Sequence, residues 1–256
     1  MEKRAELKTA IEAVKAAGKI SLKHFGKHID FEMKGDDTPV TKTDKMCEKR
    51  MLEIIKKRFP DDSILSEESK ELHKDPKRRW IVDPIDGTKA FIHGIPTYGN
   101  MAAFEESGEI VCAAITVPAL GKLFFAEKGK GAFEGNGKRI RVSREPHISK
   151  ATILHGRGKG FLEKGYLKKL RILLNTVYHS WGFNDPFAFY LLATGRVDAV
   201  VETFPHAWDV AAPLLIIKEA GGRFTDLAGR ETIHSNTIAV FSNNKIHDAL
   251  LEILRK

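Results

Sequence analysis

Two aspartates three residues apart follow an apolar run in the segment Trp80-Ile81-Val82-Asp83-Pro84-Ile85-Asp86-Gly87-Thr88. The run reads as a strand that ends at Asp83, and Pro84 biases the residue before it toward an extended backbone. Carboxylate oxygens are the ligands that Mg²⁺ prefers, and free N–H groups in a turn or helix opening at Gly87 could meet an anion. The segment therefore has the parts of a metal and phosphate site. Asp, Pro and Gly are also common turn residues, so a plain turn is the alternative.

Three further acidic positions stand beside predicted elements. Glu67 follows a short strand at 63–66, Asp209 precedes an apolar helical stretch at 210–217, and Asp44 lies at a helix start. Each has an ordinary explanation. Adjacent surface acids are usually solvated, Asp is a common helix N-cap, and an acid in a first turn complements the helix dipole. Taken singly, none of them distinguishes a ligand from a structural residue.

Taken together, three motifs resemble those of the inositol monophosphatase family, the Mg²⁺-dependent, lithium-sensitive phosphatases of small metabolites. They are Ser66-Glu67-Glu68-Ser69, the segment 80–88, and Trp208-Asp209-Val210-Ala211-Ala212, with Ala220-Gly221-Gly222 after them. The motifs occur in the family's order, and the resemblance covers almost the whole chain. An ordered set of this kind is far more specific than one short motif.

The resemblance implies a role for each matching position. Glu67, Asp83 and the Ile85 carbonyl would bind a first Mg²⁺, while Asp83, Asp86 and Asp209 would bind a second. A third, looser ion is expected near Glu67. Asp44 and Thr88 would orient and deprotonate the attacking water, with Glu67 also counted among the catalytic groups. The backbone N–H groups of Gly87 and Thr88 would hold phosphate oxygens.

This ligand set predicts hydrolysis of a phosphate monoester. Two cations neutralise the phosphate, lower the pKa of a bound water and stabilise the leaving alkoxide. Most of the rate enhancement would come from positioning and electrostatics, so we expect direct attack by water without a phosphoenzyme.

Substrate choice must depend on residues outside the metal ligands. Glu202 precedes Asp209 by seven residues, where family members place an acid that contacts the leaving alcohol. The run Lys89 to Gly99 resembles the histidinol-phosphate phosphatase branch, as does an acid, Asp185, before aromatic residues. A carboxylate there could pair with a cationic amino alcohol, but Asp185 could instead be the N-cap of a helix that starts at Pro186. The insertion of Phe183-Asn184 departs from the branch's pattern.

The predicted substrate is therefore L-histidinol phosphate, which the enzyme would convert to histidinol and phosphate in histidine biosynthesis. The alternatives are inositol-1-phosphate, with or without fructose-1,6-bisphosphate, and then a 3′,5′-bisphosphonucleotide. His93 and His206 fall near the motifs in sequence, but a lone histidine is more often a surface or core residue.

Hydrophobic periodicity indicates the elements that would position these residues. Helices are predicted at 5–25 and 43–59, with Gly26 as a stop, and a series of strands with tight turns follows to about residue 145. After residue 150 strands and helices alternate, among them helices at 162–174 and 209–220. The family resemblance implies a layered αβαβα sandwich of the α/β (α+β) class. It has an antiparallel sheet in residues 1–145, with most metal ligands, and a mixed sheet in residues 146–256, with Asp209.

The composition of the chain indicates the cellular location of the protein and the classes of partner it binds. The 256 residues carry a net charge of +8, but the basic residues are dispersed along the sequence and form no known nucleic-acid motif, so neither nucleic acid nor membrane is expected as a partner. No apolar run is long enough to span a bilayer, and the two cysteines are far apart. We expect a cytoplasmic protein that binds a small phosphorylated metabolite, with the homodimeric state that the family resemblance implies.

Overall fold

The structure is a computed structural model that describes residues 3–35, 38–69, 72–234 and 237–256. In the first half of the chain the elements are α1 (Ala5–His24), β1 (Phe31–Met33), β2 (Pro39–Thr41), α2 (Lys42–Arg58), β3 (Ser63–Ser66), β4 (Arg78–Asp86), α3 (Thr88–Ile92), β5 (Gly99–Glu106), β6 (Glu109–Val117), β7 (Lys122–Glu127), β8 (Gly131–Glu134) and β9 (Arg139–Ile140). The second half contains β10 (Thr152–His155), α4 (Gly158–Glu163), α5 (Leu167–Thr176), β11 (His179–Trp181), α6 (Pro186–Ala193), β12 (Ala199–Thr203), α7 (Ala207–Glu219), β13 (Arg223–Asp226), β14 (Ile238–Ser242) and α8 (His247–Arg255).

The first large sheet contains seven described strands in the order β3-β4-β5-β6-β7-β8-β9. From β4 to β9 every pair is antiparallel, as tight turns between consecutive strands require. The edge strand β3 is the one exception to the predicted antiparallel arrangement among the described strands of this sheet, because it pairs with β4 in parallel register, Ile64 opposite Trp80. The eleven positions that separate β3 from β4 allow the chain to return to the starting end of the sheet.

The second large sheet is mixed, as predicted, with the order β11-β10-β12-β14-β13. β10 is parallel to both β11 and β12, whereas β14 is antiparallel to β12 and β13. The connections from β10 to its parallel partners β11 and β12 run through helices, as parallel pairing requires.

The layers stack as predicted, αβαβα. Alternate residues of β4 show how the first sheet is covered on both faces, since Trp80 and Val82 pack with α1 and α2 while Ile81 packs with α7. α6 and α7 fill the space between the two sheets, and α5 and α8 cover the outer face of the second sheet. α7 is buried along most of its length, which explains why its sequence is apolar without an amphipathic pattern.

Several boundaries differ from the predictions for local reasons. The single helix predicted at 162–174 is two helices, α4 and α5, because Gly165 adopts a positive φ of 73° between them. The antiparallel strands β1 and β2 were not predicted, because their segment is polar and turn-rich. The division of the chain near residue 145 stays a prediction.

Among the described helices, none combines the length and the apolar composition that crossing a membrane requires.

Candidate active site

An irregularity in β4 brings the two aspartates of the central motif to one side of the sheet. In a regular strand, residues three apart point to opposite faces. Here Asp83 pairs with Met101 and Asp86 pairs with Gly99, so that one extra residue is accommodated on β4 between them. Such a bulge re-aims side chains and is common beside active sites. The motif is therefore both an irregular strand end and a carboxylate pair.

Asp209 completes the carboxylate cluster from α7. One oxygen each of Asp83, Asp86 and Asp209 lie within 4.8 Å of one another, which is the separation expected of ligands that share a metal ion. Asp209 is in the first turn of α7, where its Oδ2 accepts a hydrogen bond of 2.6 Å from the backbone N–H of His206. The capping explanation and the ligand explanation for Asp209 are thus compatible.

The electrostatics of the cluster favour a bound cation. Asp83 is 1% exposed, and its Oδ1 has no hydrogen-bond partner among the described residues. Burial, followed by the charges of neighbouring acids, raises the pKa of Asp83 and of Asp86 well above the usual range. Burial also raises the pKa of Asp209 to about 7. A cation would pair the orphaned oxygen and relieve the repulsion, so these residues fit a divalent metal.

Glu67 lies close enough to Asp83 that its charge helps to raise the pKa of Asp83. Its Oε1 accepts a bond of 2.8 Å from Nζ of Lys34, which also donates to Oε1 of Glu68 at 2.7 Å. Although burial opposes the positive charge, these two hydrogen bonds raise the pKa of Lys34 above its usual value. The ammonium group therefore supplies a positive charge at the place where the loosest ion is expected.

Asp44 and Thr88 meet behind the carboxylate cluster. The Thr88 hydroxyl can donate to Oδ1 of Asp44 at 3.2 Å or to the Ile85 carbonyl at 3.0 Å. Asp44 is held by the N-terminal cap of α2, where the backbone N–H of Thr41 donates to its Oδ2 at 2.9 Å. Burial raises the pKa of Asp44 to about 6. A carboxylate of that pKa can accept a proton near neutral pH.

Gly87 sits at the N-cap of α3 with φ of 80°, a left-handed conformation that favours glycine. A Cβ added there would lie 3.0 Å from Oδ1 of Asp185 and 3.3 Å from Cα of Tyr98. The N–H groups of Gly87 and Thr88 belong to the first turn of a helix, where backbone donors lack intrahelical partners. Asp185 thus lies directly against the predicted phosphate-binding backbone.

The two sequence stretches that suggested the substrate touch each other. Thr97 donates its hydroxyl hydrogen to Oδ2 of Asp185, and the backbone N–H of Phe187 donates to the Thr97 carbonyl at 3.3 Å. Asp185 does occupy the N-cap position of α6, but its side chain makes no capping hydrogen bond. Gly99 permits this docking, because a Cβ there would approach Cβ of Pro186 to 2.7 Å.

Glu202 lies at the end of β12, and its Oε2 accepts a hydrogen bond from the side-chain amide of Asn184. The inserted Phe183-Asn184 pair therefore reaches Glu202 instead of projecting away from the site. Burial, followed by the charge of Asp209, raises the pKa of Glu202 to about 8, and burial raises the pKa of Asp185. Both groups would gain from a cationic partner.

A cleft of about 740 Å³ connects these groups. Its lining includes the predicted residues Glu67, Asp83, Ile85, Asp86, Gly87, Thr88, Asp185, Glu202 and Asp209, and also both histidines, His93 and His206. Lys34 and Arg157 line it too, although the sequence analysis did not single them out. Each lies in a polar, turn-rich segment without a motif, so only the three-dimensional arrangement identifies them.

The chain is similar to known proteins over most of its length. Residues 2–256 match the model of the inositol monophosphatase family. A histidinol-phosphatase from Chlorobaculum parvum is 39% identical over 93% of this chain and 92% of its own length. A fructose-1,6-bisphosphatase/inositol-1-monophosphatase from Thermotoga maritima is 34% identical over 96% and 94%. The crystal structure of the extragenic suppressor protein suhB from Bartonella henselae superposes with a TM-score of 0.93 at 32% identity, covering 99% of each chain.

Proposed function

The chain belongs to the inositol monophosphatase family and is a phosphoric monoester hydrolase, and from this premise we propose that its substrate is L-histidinol phosphate. The observation that carries this proposal is the pair of half-buried carboxylates, Asp185 and Glu202, in the same cleft as the metal-type cluster. A phosphate bound at the cluster would place the rest of the substrate beside these acids. Histidinol carries an ammonium group that could pair with them, whereas inositol offers only hydroxyls.

Asp83, Asp86 and Asp209 would hold Mg²⁺ together with Glu67 and the Ile85 carbonyl, as two ions and a looser third. When bound, Mg²⁺ supplies charge neutralisation of the phosphate and lowers the pKa of a water. The chain's own contribution is a rigid arrangement of acids at the bulge and at the first turn of α7. The N–H groups of Gly87 and Thr88 would hold non-bridging phosphate oxygens, so that the phosphorus faces the attacking water.

Asp44 and Thr88 would form the proton path of the reaction. A water hydrogen-bonded to the Thr88 hydroxyl can pass a proton to that oxygen while the hydroxyl hydrogen moves to Asp44, which it already faces at 3.2 Å. The pKa of about 6 keeps Asp44 mostly ionised at neutral pH and still basic enough to accept the proton. The water oxygen then attacks phosphorus, the bond from phosphorus to the leaving oxygen breaks on the opposite side, and the alkoxide takes a proton from solvent to give the alcohol.

A specific observation favours a second candidate substrate. Arg157 is exposed at the cleft and lies near enough to Glu202 to oppose the rise in its pKa. Within the described ranges no ion pair engages its guanidinium. A free guanidinium suits a second phosphate group, as in fructose-1,6-bisphosphate, which is in keeping with the Thermotoga maritima relative's name.

The test is kcat/KM for L-histidinol phosphate, inositol-1-phosphate and fructose-1,6-bisphosphate in Mg²⁺, with the wild type, Asp185→Asn and Arg157→Gln. Asp185→Asn keeps an acceptor for Thr97 and removes only the charge. We expect a loss of about tenfold to a hundredfold on histidinol phosphate and a change below threefold on inositol phosphate, because only the former loses a charge pair. Equal losses on both substrates would exclude cation pairing. A wild type that prefers the bisphosphate, and loses that preference in Arg157→Gln, would establish the second candidate.

We also propose that the protein works as a cytoplasmic homodimer, which the family resemblance implies. Light scattering coupled to size exclusion should give twice the 28.7 kDa chain mass. A single-chain mass at micromolar concentration would contradict it.

A further inference from the structure

The positive charge of the protein is concentrated on its outer helical layer. α1 and α2, both described over their whole length, expose eleven Lys and Arg residues: Lys8, Lys15, Lys19, Lys23, Lys42, Lys45, Lys49, Arg50, Lys56, Lys57 and Arg58. The same helices expose only two acids, Glu12 and Glu53, because Glu6, Asp44 and Glu48 are buried on their inner side. The excess on this one face exceeds the +8 of the entire chain. Basic residues that are dispersed along the sequence therefore lie together on one surface of the folded protein.

The two arginines of this face already have partners within it. Arg58 pairs with Glu12 at 2.6 Å, and Arg50 pairs with Glu53 at 3.1 Å. The remaining nine cations are lysines, which are flexible point charges without the planar fork that arginine presents to phosphate. The face is thus a lysine surface with its acids neutralised.

A shallow groove of about 600 Å³ crosses this layer. Apolar side chains, Ile11, Ile20 and Ile54, contribute to its lining, and Lys15 and Lys19 stand beside them. Ile54 is buried and the other two are half-buried, so the apolar part is recessed below the lysines. A recessed apolar strip with cationic flanks favours a ligand that carries both apolar and acidic groups.

We propose that the groove of α1 and α2 binds an acidic amphipathic segment of a partner protein, with its apolar side chains on the isoleucines and its carboxylates on the flanking lysines. This is the helix-in-groove mode of recognition, in which anchors at i, i+3, i+4 and i+7 enter an apolar groove. The surface would tether the phosphatase to that partner while leaving the cleft accessible, because the groove and the cleft have no lining residue in common.

Two other polyanions fit the surface less well. A nucleic-acid duplex would leave the groove isoleucines unused, because its phosphates offer charge but no apolar side chain. A membrane requires apolar side chains that protrude, whereas the groove isoleucines are recessed. Leu22 and Met46 are exposed on these helices, so vesicles belong in the test.

The experiment measures binding to the full-length protein by fluorescence anisotropy. The probe is a labelled peptide of about five helical turns, with leucines at i, i+3, i+4 and i+7 and mostly glutamates elsewhere. The comparison ligands are the same peptide with every leucine replaced by serine, a short DNA duplex, and vesicles of phosphatidylglycerol and phosphatidylcholine. The variant is Lys15→Glu/Lys19→Glu. Its matched control, Lys138→Glu/Lys168→Glu, makes the same charge change at two exposed lysines elsewhere.

We expect saturable binding of the leucine peptide that weakens with salt. It should fall roughly tenfold or more in Lys15→Glu/Lys19→Glu and less than twofold in the control, with phosphatase activity unchanged in both. The proposal is overturned if the serine peptide binds as tightly, or if DNA or vesicles bind more tightly than the leucine peptide. Equal loss in the two double variants would also overturn it, since binding would then follow net charge alone.

Discussion

Replacing Asp83 by Asn should make the metal-free protein more stable while removing most of its response to Mg²⁺. Asp83 is buried at the β4 bulge, its Oδ1 has no described partner, and its carboxylate adjoins those of Asp86 and Asp209. Without a cation, the fold confines three acids that repel one another. Asparagine has nearly the same shape and carries no charge, and its amide could donate to a neighbouring carboxylate.

The magnitude follows from the spacing of the cluster. Two unit charges 4.8 Å apart repel by about 3 kcal/mol at an effective dielectric constant of about 20. Part of this repulsion is already relieved because the raised pKa values leave some of the acids protonated at neutral pH. We therefore expect a gain of about 1–3 kcal/mol at pH 8, which corresponds to a rise of roughly 2–10 °C in Tm for a chain of this size.

The assay is thermal unfolding at pH 8 in EDTA and in excess Mg²⁺. The wild type should gain about 3 kcal/mol of stability when Mg²⁺ is a hundredfold above its Kd, whereas Asp83→Asn should gain far less. The order of stability would then reverse between the two conditions, and phosphatase activity would be lost. Asp61→Asn is the control, because it removes the same charge from an exposed position.

A lower Tm for Asp83→Asn than for the wild type in EDTA would refute the reasoning. It would mean that the Asp83 carboxylate makes a stabilising interaction with the protein itself. A Mg²⁺ shift equal to that of the wild type would refute the assignment of Asp83 as a ligand.

Three further predictions concern the base, a buried histidine and a close backbone contact. Asp44→Asn should lower kcat by about a hundredfold or more and remove the rise in rate near pH 6, because the base is lost. The variant should keep the rise in Tm that Mg²⁺ gives, and loss of that rise would indicate that Asp44 is a metal ligand instead of a base. Burial lowers the pKa of His247 to about 4, so the contribution of the neutral imidazole to stability should be complete above the unfolded pKa of about 6.5 and should fall by up to about 3 kcal/mol as the pH drops to 4. In urea unfolding, the stability of His247→Gln should fall less steeply with decreasing pH, and an equal pH dependence in the two proteins would contradict this. Gly99→Ala places a Cβ against the Thr116 carbonyl oxygen and should cost about 2 kcal/mol or more in urea unfolding, whereas Gly158→Ala, with open space around it, should be near neutral. Similar values for both variants would contradict the close packing.

Strong local patterns made much of the fold predictable. The strand at 63–66 has the predicted bounds, and α1 ends two residues before Gly26. The tight turns from β4 to β9 correctly indicated antiparallel neighbours. The parallel pairing of β3 could not be predicted, because it depends on where the segment after β3 returns and not on any local periodicity.

Some residues of the candidate site could likewise be predicted from the sequence, and others could not. Glu67, Asp83, Asp86 and Asp209 stand in specific motifs, and the structure places all four along one cleft. Lys34 and Arg157 belong to no motif and reach the cleft only through the folded positions of their loops. The contact of Thr97 with Asp185 joins stretches 88 residues apart, and the raised pKa of Glu202 reflects burial that no single segment produces.

The position of α7 between the two sheets has a consequence for how the protein folds. The carboxylate cluster joins β4 to a helix more than 120 residues later in the chain, so it forms only after this long-range contact is made. A folding intermediate with one complete sheet would hold Asp83 and Asp86 without Asp209 and would bind a divalent ion weakly. Mg²⁺ should therefore slow unfolding far more than it accelerates folding, and a nascent chain would acquire its metal only after α7 has emerged from the ribosome and docked.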